Sequence, residues 1–97
     1  MTESTTTEPA NAPRVAIVTG GGRGIGRAAA LGLAADGWTV VVAGRTVADL
    51  DGVVAELPTP GLAMPTDVAD EAQVEALFDR VVAEFGRVDL LLSLIHI

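Results

Sequence analysis

Residues 19–26 read TGGGRGIG, five glycines in eight positions. Before them stands RVAIVT, a β-branched apolar run from Arg14 to Thr19 that reads as a buried strand. After them comes IGRAAALGLAADG, rich in alanine and leucine, long enough for a helix and stopped by Gly37. A loop that leaves a strand and enters a helix presents unpaired backbone N–H groups and the positive end of the helix dipole. An anion fits there, and a pyrophosphate does so when no Cβ blocks its approach. On this reading Gly20 permits the tight turn, Gly24 lets the backbone close on phosphates, and Gly26 lets the helix pack near the strand. Gly22 and Ile25, in the same stretch, complete the candidate contact set of the loop. A glycine-rich turn without a ligand is the alternative.

The spacing narrows the anion. A P-loop needs a lysine after its last glycine, and this chain contains no lysine, which argues against nucleoside triphosphate hydrolysis. The common dinucleotide pattern G-x-G-x-x-G does not fit at Gly20. Its looser form is met at Gly24-x-Gly26-x-x-Ala29, but that match begins inside the helix entry. The pattern that starts at the strand end is Gly20-x-x-x-Gly24-x-Gly26.

The elements that must position this loop follow along the chain. TVVVA (Thr39 to Ala43) is a second buried strand. Thr46 can cap a helix from Val47 to about Leu57, which Pro58 and Pro60 end. GLAM (Gly61 to Met64) is a weak third strand. Asp70 and Gln73 make a capping box, and Val74, Leu77, Phe78, Val81, Val82 and Phe85 form one apolar stripe of a helix ended by Gly86. VDLLL (Val88 to Leu92) is a fourth buried strand. Strands apolar on both faces and separated by helices predict an α/β fold with a parallel sheet covered on both sides. Right-handed crossovers make the expected strand order 3-2-1-4, the N-terminal half of a doubly wound, Rossmann-type sheet.

Composition sets limits on partners. The chain has 97 residues, 49% of them hydrophobic, enough for one small domain or part of a larger one. Six basic and thirteen acidic groups leave a formal charge of −7, which disfavours nucleic acid and anionic membranes. Without cysteine, disulfides and thiolate metal sites are excluded, and the lone His96 supports no metal site. Residues 1–13 carry two glutamates and no basic group before Arg14, and read as a flexible tail, not a secretory signal. No apolar stretch approaches the roughly 18 residues of a membrane span. A soluble, cytoplasmic protein is the expectation.

Thr19-Gly20-x-x-x-Gly24-x-Gly26 resembles the cofactor loop of the short-chain dehydrogenase/reductase family. VVVAGRT at the second strand end, TDV at Thr66 to Val68 and FGRVDLL at Phe85 to Leu91 resemble further family segments, in the family's order and approximate spacing. The resemblance runs from Arg14 to about Leu92. It implies hydride transfer between a nicotinamide cofactor and a small carbonyl or alcohol substrate, and a homo-oligomeric parent protein. It also implies that Asp67 hydrogen-bonds the adenine amino group and that the backbone of Val68 contacts the ring. A turn or capping carboxylate is the other role open to Asp67, although Asp70 is the better cap.

Dinucleotide folds place an acidic residue about 20 positions past the glycines to hold the ribose 2′-hydroxyl of NAD. Here Gly44 and Arg45 stand at that point, and Asp36 comes too early. Arg23 in the loop and Arg45 after the strand can instead converge on a 2′-phosphate, since a guanidinium fork donates two hydrogen bonds. NADP(H) is therefore the expected cofactor, with NAD(H) as the alternative. Solvated surface arginines are the competing reading of Arg23 and Arg45. Thr46 either bonds the 2′-phosphate or caps its helix.

The resemblance implies a Tyr-x-x-x-Lys acid–base pair and a substrate-orienting Ser. None of these can be mapped, because the chain has neither Tyr nor Lys, so no catalytic residue is assigned. The family's Asn-Asn-Ala-Gly after the fourth strand is also absent, and SLIHI stands there. The expectation is a cofactor-binding half-domain over 14–92 and a non-native terminus over 93–97. LSLIHI resembles a translated sequencing adapter. Such a fragment is expected to be inactive, with its fourth strand a bare apolar edge prone to pairing. A non-catalytic nucleotide-binding or redox-sensing module is the second reading. A methyltransferase of related topology is weakened by Arg45, because such sites want an acidic residue there.

Overall fold

β1 (Val15–Thr19) and β2 (Thr39–Gly44) lie side by side in parallel, with Ile17 opposite Val41, and all but Gly44 of their residues are buried. Their β-branched, doubly apolar sequences suit strands covered on both faces. β3 (Gly61–Pro65) adds outside β2, with Val42 opposite Ala63, and β4 (Leu90–Ser93) adds outside β1, with Val18 opposite Leu92. The sheet order is β3-β2-β1-β4, all parallel, as the sequence predicts. In this computed structural model residues 14–20, 22 and 24–93 are described. The expected tail at 1–13, Arg23 and His96 lie outside the described residues, as do positions 94–97 of the expected non-native terminus. Ser93 is the last residue of β4, in register with Thr19, whose hydroxyl donates to Ser93 Oγ at 3.2 Å.

The helices divide between the two faces. α1 (Gly24–Ala35) and α2 (Val47–Glu56) cover one, where Val18, Val40 and Val42 meet Ala30, Ala34, Leu50 and Val53. α3 (Glu71–Phe85) covers the other, where Val15, Ile17, Val41 and Ala43 meet Leu77 and Val81. The alternation along β1 and β2 follows the two-residue period of a strand. Small residues on the inner side of α1 let it sit close to the sheet. Trp38 packs half-buried against the α1–α2 layer, with the Arg14 guanidinium 5.8 Å from its ring centre.

Four local features differ from expectation. Thr46 holds the N-cap position of α2, but its side chain makes no capping hydrogen bond. Asp70 does cap α3, accepting from the N–H groups of Ala72 and Gln73. The return half of the capping box goes elsewhere. Gln73 Oε1 accepts from the N–H of Asp67 at 2.8 Å, because the Asp70 N–H is already given to the Asp67 carbonyl at 2.9 Å. Val82 is 51% exposed. At about 100° per residue it lies some 80° round the helix from Val74, at the margin of the apolar stripe. β4 begins at Leu90 and is half-exposed, not buried, since among the described residues it pairs with β1 alone.

Candidate functional site

The chain doubles back between β1 and β4. β2 and β3 lie on one side of β1, and β4 lies on the other. In an open parallel sheet such a reversal leaves a crevice at the carboxyl ends of the strands, where the following loops diverge. The glycine loop sits there. Gly20 leaves β1 with φ 71°, a left-handed conformation that side chains resist, and its N–H donates to the Ala43 carbonyl of β2 at 2.8 Å. Gly24 opens α1 with φ 58°, and a Cβ placed on it would meet nothing within 4 Å. The first turn of α1 carries no acidic residue, so its N–H donors suit an anion, and the Gly24 position is open to one. Gly26 is buried on the inner side of that turn, and Ile25 is 78% exposed beside it.

A groove of about 470 Å³ runs alongside, lined by Gly20, Gly22, Gly44, Arg45, Thr46, Asp49 and Leu50. It brings the loop together with two of the residues chosen to hold a 2′-phosphate, Arg45 and Thr46. Both are exposed at the entry to α2. The Thr46 hydroxyl makes no capping hydrogen bond. Asp67 and Val68 follow β3 and do not line this groove. They lie past the end of β2, where the Thr66 N–H donates to the Gly44 carbonyl at 2.6 Å. Asp67 Oδ1 accepts from the N–H of Ala69 at 3.0 Å, so one of its oxygens closes a turn. Val68 is exposed.

Asp49 and Leu50 also line the groove, and the sequence attaches no role to either. Asp49 stands three residues past the N-cap, where a side chain leans back over the helix start. That spacing was the available signal. No carboxylate comes from the end of β2, but Asp49 of α2 lines the groove.

Gly22 is where loop and helix touch. A Cβ there would lie 2.9 Å from the Asp49 Cβ and 3.6 Å from Leu50 Cδ2. Gly22→Ala is therefore expected to push the first turn of α2 off the loop. Overpacking of this kind costs about 1–3 kcal/mol, which thermal unfolding will register as a lower midpoint. Farther from the groove, Arg27 of α1 pairs with Glu56 of α2, and that hydrogen bond holds the Glu56 carboxyl below its usual pKa. Both groups are solvent-exposed, so the pair adds little stability.

A family model for short chain dehydrogenases matches residues 14–93, the span from β1 through β4. The chain belongs to the short-chain dehydrogenase family. It is 42% identical over 94 residues to the short-chain reductase protein NovJ of Streptomyces niveus, an overlap of 94% of this chain and 36% of that protein. The crystal structure of a putative short-chain dehydrogenase/reductase from Sinorhizobium meliloti 1021 superposes with a TM-score of 0.82 at 38% identity, over 93% of this chain and 43% of that one. The 3-ketoacyl-(acyl-carrier-protein) reductase of Brucella melitensis, solved with NADH, superposes at 0.77 and 36% identity, over 80% of this chain and 32% of that one. The chain spans about a third of the length of the curated relatives it matches. Membership agrees with the parallel α/β sheet order β3-β2-β1-β4. Among its described residues no helix is long and apolar enough to cross a membrane.

Proposed function

We propose that this chain is the cofactor-binding half-domain of an NADP(H)-preferring short-chain dehydrogenase/reductase that acts on a small carbonyl or alcohol substrate. The observation that carries the cofactor preference is the groove itself. Arg45 and Thr46 line the same cleft as Gly20 and Gly22, beside the α1 N-terminus. In this reading the N–H groups of the Gly24–Gly26 turn hold the pyrophosphate. Arg23 and Arg45 meet a 2′-phosphate, Thr46 donates its hydroxyl to it, and Asp67 with the Val68 backbone holds the adenine. The Brucella melitensis relative, solved with NADH, supports a nicotinamide dinucleotide as ligand and keeps NAD(H) as the second cofactor. The bound cofactor supplies or accepts the hydride. This chain's residues bind and orient it.

Acid–base catalysis is assigned to residues beyond this chain, which holds neither Tyr nor Lys. The 97 residues alone are proposed to reduce no carbonyl compound, and the full-length protein to work as a homo-oligomer. The same absence favours one second reading, a nucleotide-binding or redox-sensing module without catalysis. Calorimetric titration of the full-length protein with NADPH and NADH tests the proposal. The expected result is heat with both and tighter binding of NADPH. No heat with either ends the proposal. Binding without turnover on any ketone or aldehyde favours the sensing module.

A further inference from the structure

Asp49 places a carboxylate in the cleft proposed to receive the phosphorylated ribose. Three observations fix its position. It lines the groove with Arg45 and Thr46. A Cβ on Gly22 would lie 2.9 Å from the Asp49 Cβ, so the Asp49 side chain starts against the glycine loop. Its neighbour Leu50 is buried and contacts the Gly22 and Gly44 positions, which locks the first turn of α2 in that orientation. Arg45 and Asp49, of opposite charge, therefore line one groove.

Those charges act on the two cofactors unequally. A 2′-phosphate carries between one and two negative charges near neutral pH, and a ribose 2′-hydroxyl carries none. A carboxylate in the cleft opposes the first and is indifferent to the second, or accepts a hydrogen bond from it. We infer that Asp49 is a specificity-determining residue that holds back the preference for NADP(H) set by Arg45 and lets the protein use NAD(H) as well. This rests on the cofactor site proposed above.

Removal of the charge at constant shape isolates the effect. In full-length Asp49→Asn, the dissociation constant for NADPH is expected to fall about tenfold at low ionic strength, with a smaller gain at 0.5 M salt. The constant for NADH is expected to stay the same or rise. Asp49→Ser, a smaller neutral residue suited to the first turn of a helix, is expected to behave alike and serves if the Asn variant does not fold. Asp49→Glu keeps the charge and is expected to retain the wild-type ratio, which a purely structural role for Asp49 does not predict. Unchanged NADPH affinity in both neutral variants overturns the inference while leaving the cofactor site intact. So does a Glu variant that matches the neutral ones. If the wild-type protein binds neither nucleotide, the site fails first and the inference with it.

Discussion

Arg45→Asp is expected to reverse the order of cofactor affinity, from NADPH-preferring to NADH-preferring. Arg45 is exposed at the lip of the groove and stands one residue past the end of β2. A charge-assisted hydrogen bond to phosphate contributes about 1.5–3 kcal/mol. Its loss alone weakens NADPH by about tenfold or more. The aspartate then adds repulsion and, with Asp49, sets two carboxylates against the 2′-phosphate. It also supplies the acceptor for a ribose hydroxyl that dinucleotide folds usually carry there. The combined swing in the NADPH-to-NADH affinity ratio is expected to be about 100-fold, near 3 kcal/mol. Competitive titration of both cofactors against the wild type and the variant reads it directly. A ratio that does not move removes Arg45 from the cofactor site.

The second large effect is on stability, at the opposite end of the sheet. Asp89 precedes β4, and its Oδ2 accepts the N–H of Val15 at 2.8 Å while its own N–H donates to the Val15 carbonyl at 2.8 Å. Both carboxylate oxygens also receive the Arg87 guanidinium, at 2.6 and 2.7 Å. One residue therefore ties the start of β1 to the start of β4 through both its backbone and its side chain, across 74 positions. Asp89→Ala takes the acceptor from a nearly buried N–H and the carboxylate from Arg87. The expected loss is about 2–3 kcal/mol, or a fall in melting midpoint of about 10–20 °C for a domain of this size.

The same carboxylate predicts an acid limb. The Arg87 hydrogen bond chiefly holds the Asp89 pKa below its usual value, and the Val15 N–H and nearby guanidinium charges add to this against the opposing effect of burial. A pKa lowered in the folded state contributes stability that is fully present above the unfolded value, about 3.9. That contribution is lost as pH falls through the folded value. Denaturant unfolding between pH 2 and 7 should show wild-type stability dropping more steeply below about pH 4 than in Asp89→Asn, which keeps an oxygen for Val15 but no charge. Parallel curves would contradict this role.

The strand order was legible because β1 and β2 are apolar at nearly every position and few arrangements cover both faces. α3 was legible through Asp70 at its start and Gly86 at its end, which are local signals. Contacts between elements were not. Asp89 reads as a charge at a strand start, and its bond to Val15 appears only when β4 docks on β1. The bond from Gln73 to the Asp67 N–H depends on how the turn before α3 folds. Asp49 reads as an ordinary first-turn acid of a helix until the packing of α2 on Gly22 turns it into the groove. The residues of the glycine loop were legible for the opposite reason. Their backbone, not a distant partner, is what they supply.

The central claim is that the backbone of the β1–α1 turn receives a dinucleotide pyrophosphate. Amide shifts of a ¹⁵N-labelled protein titrated with NADPH test it most directly. The account predicts that the largest changes fall on Gly20, Gly22, Gly24, Ile25 and Gly26, with Arg45 and Thr46 next. Saturable binding that leaves these amides in place and moves others would contradict it.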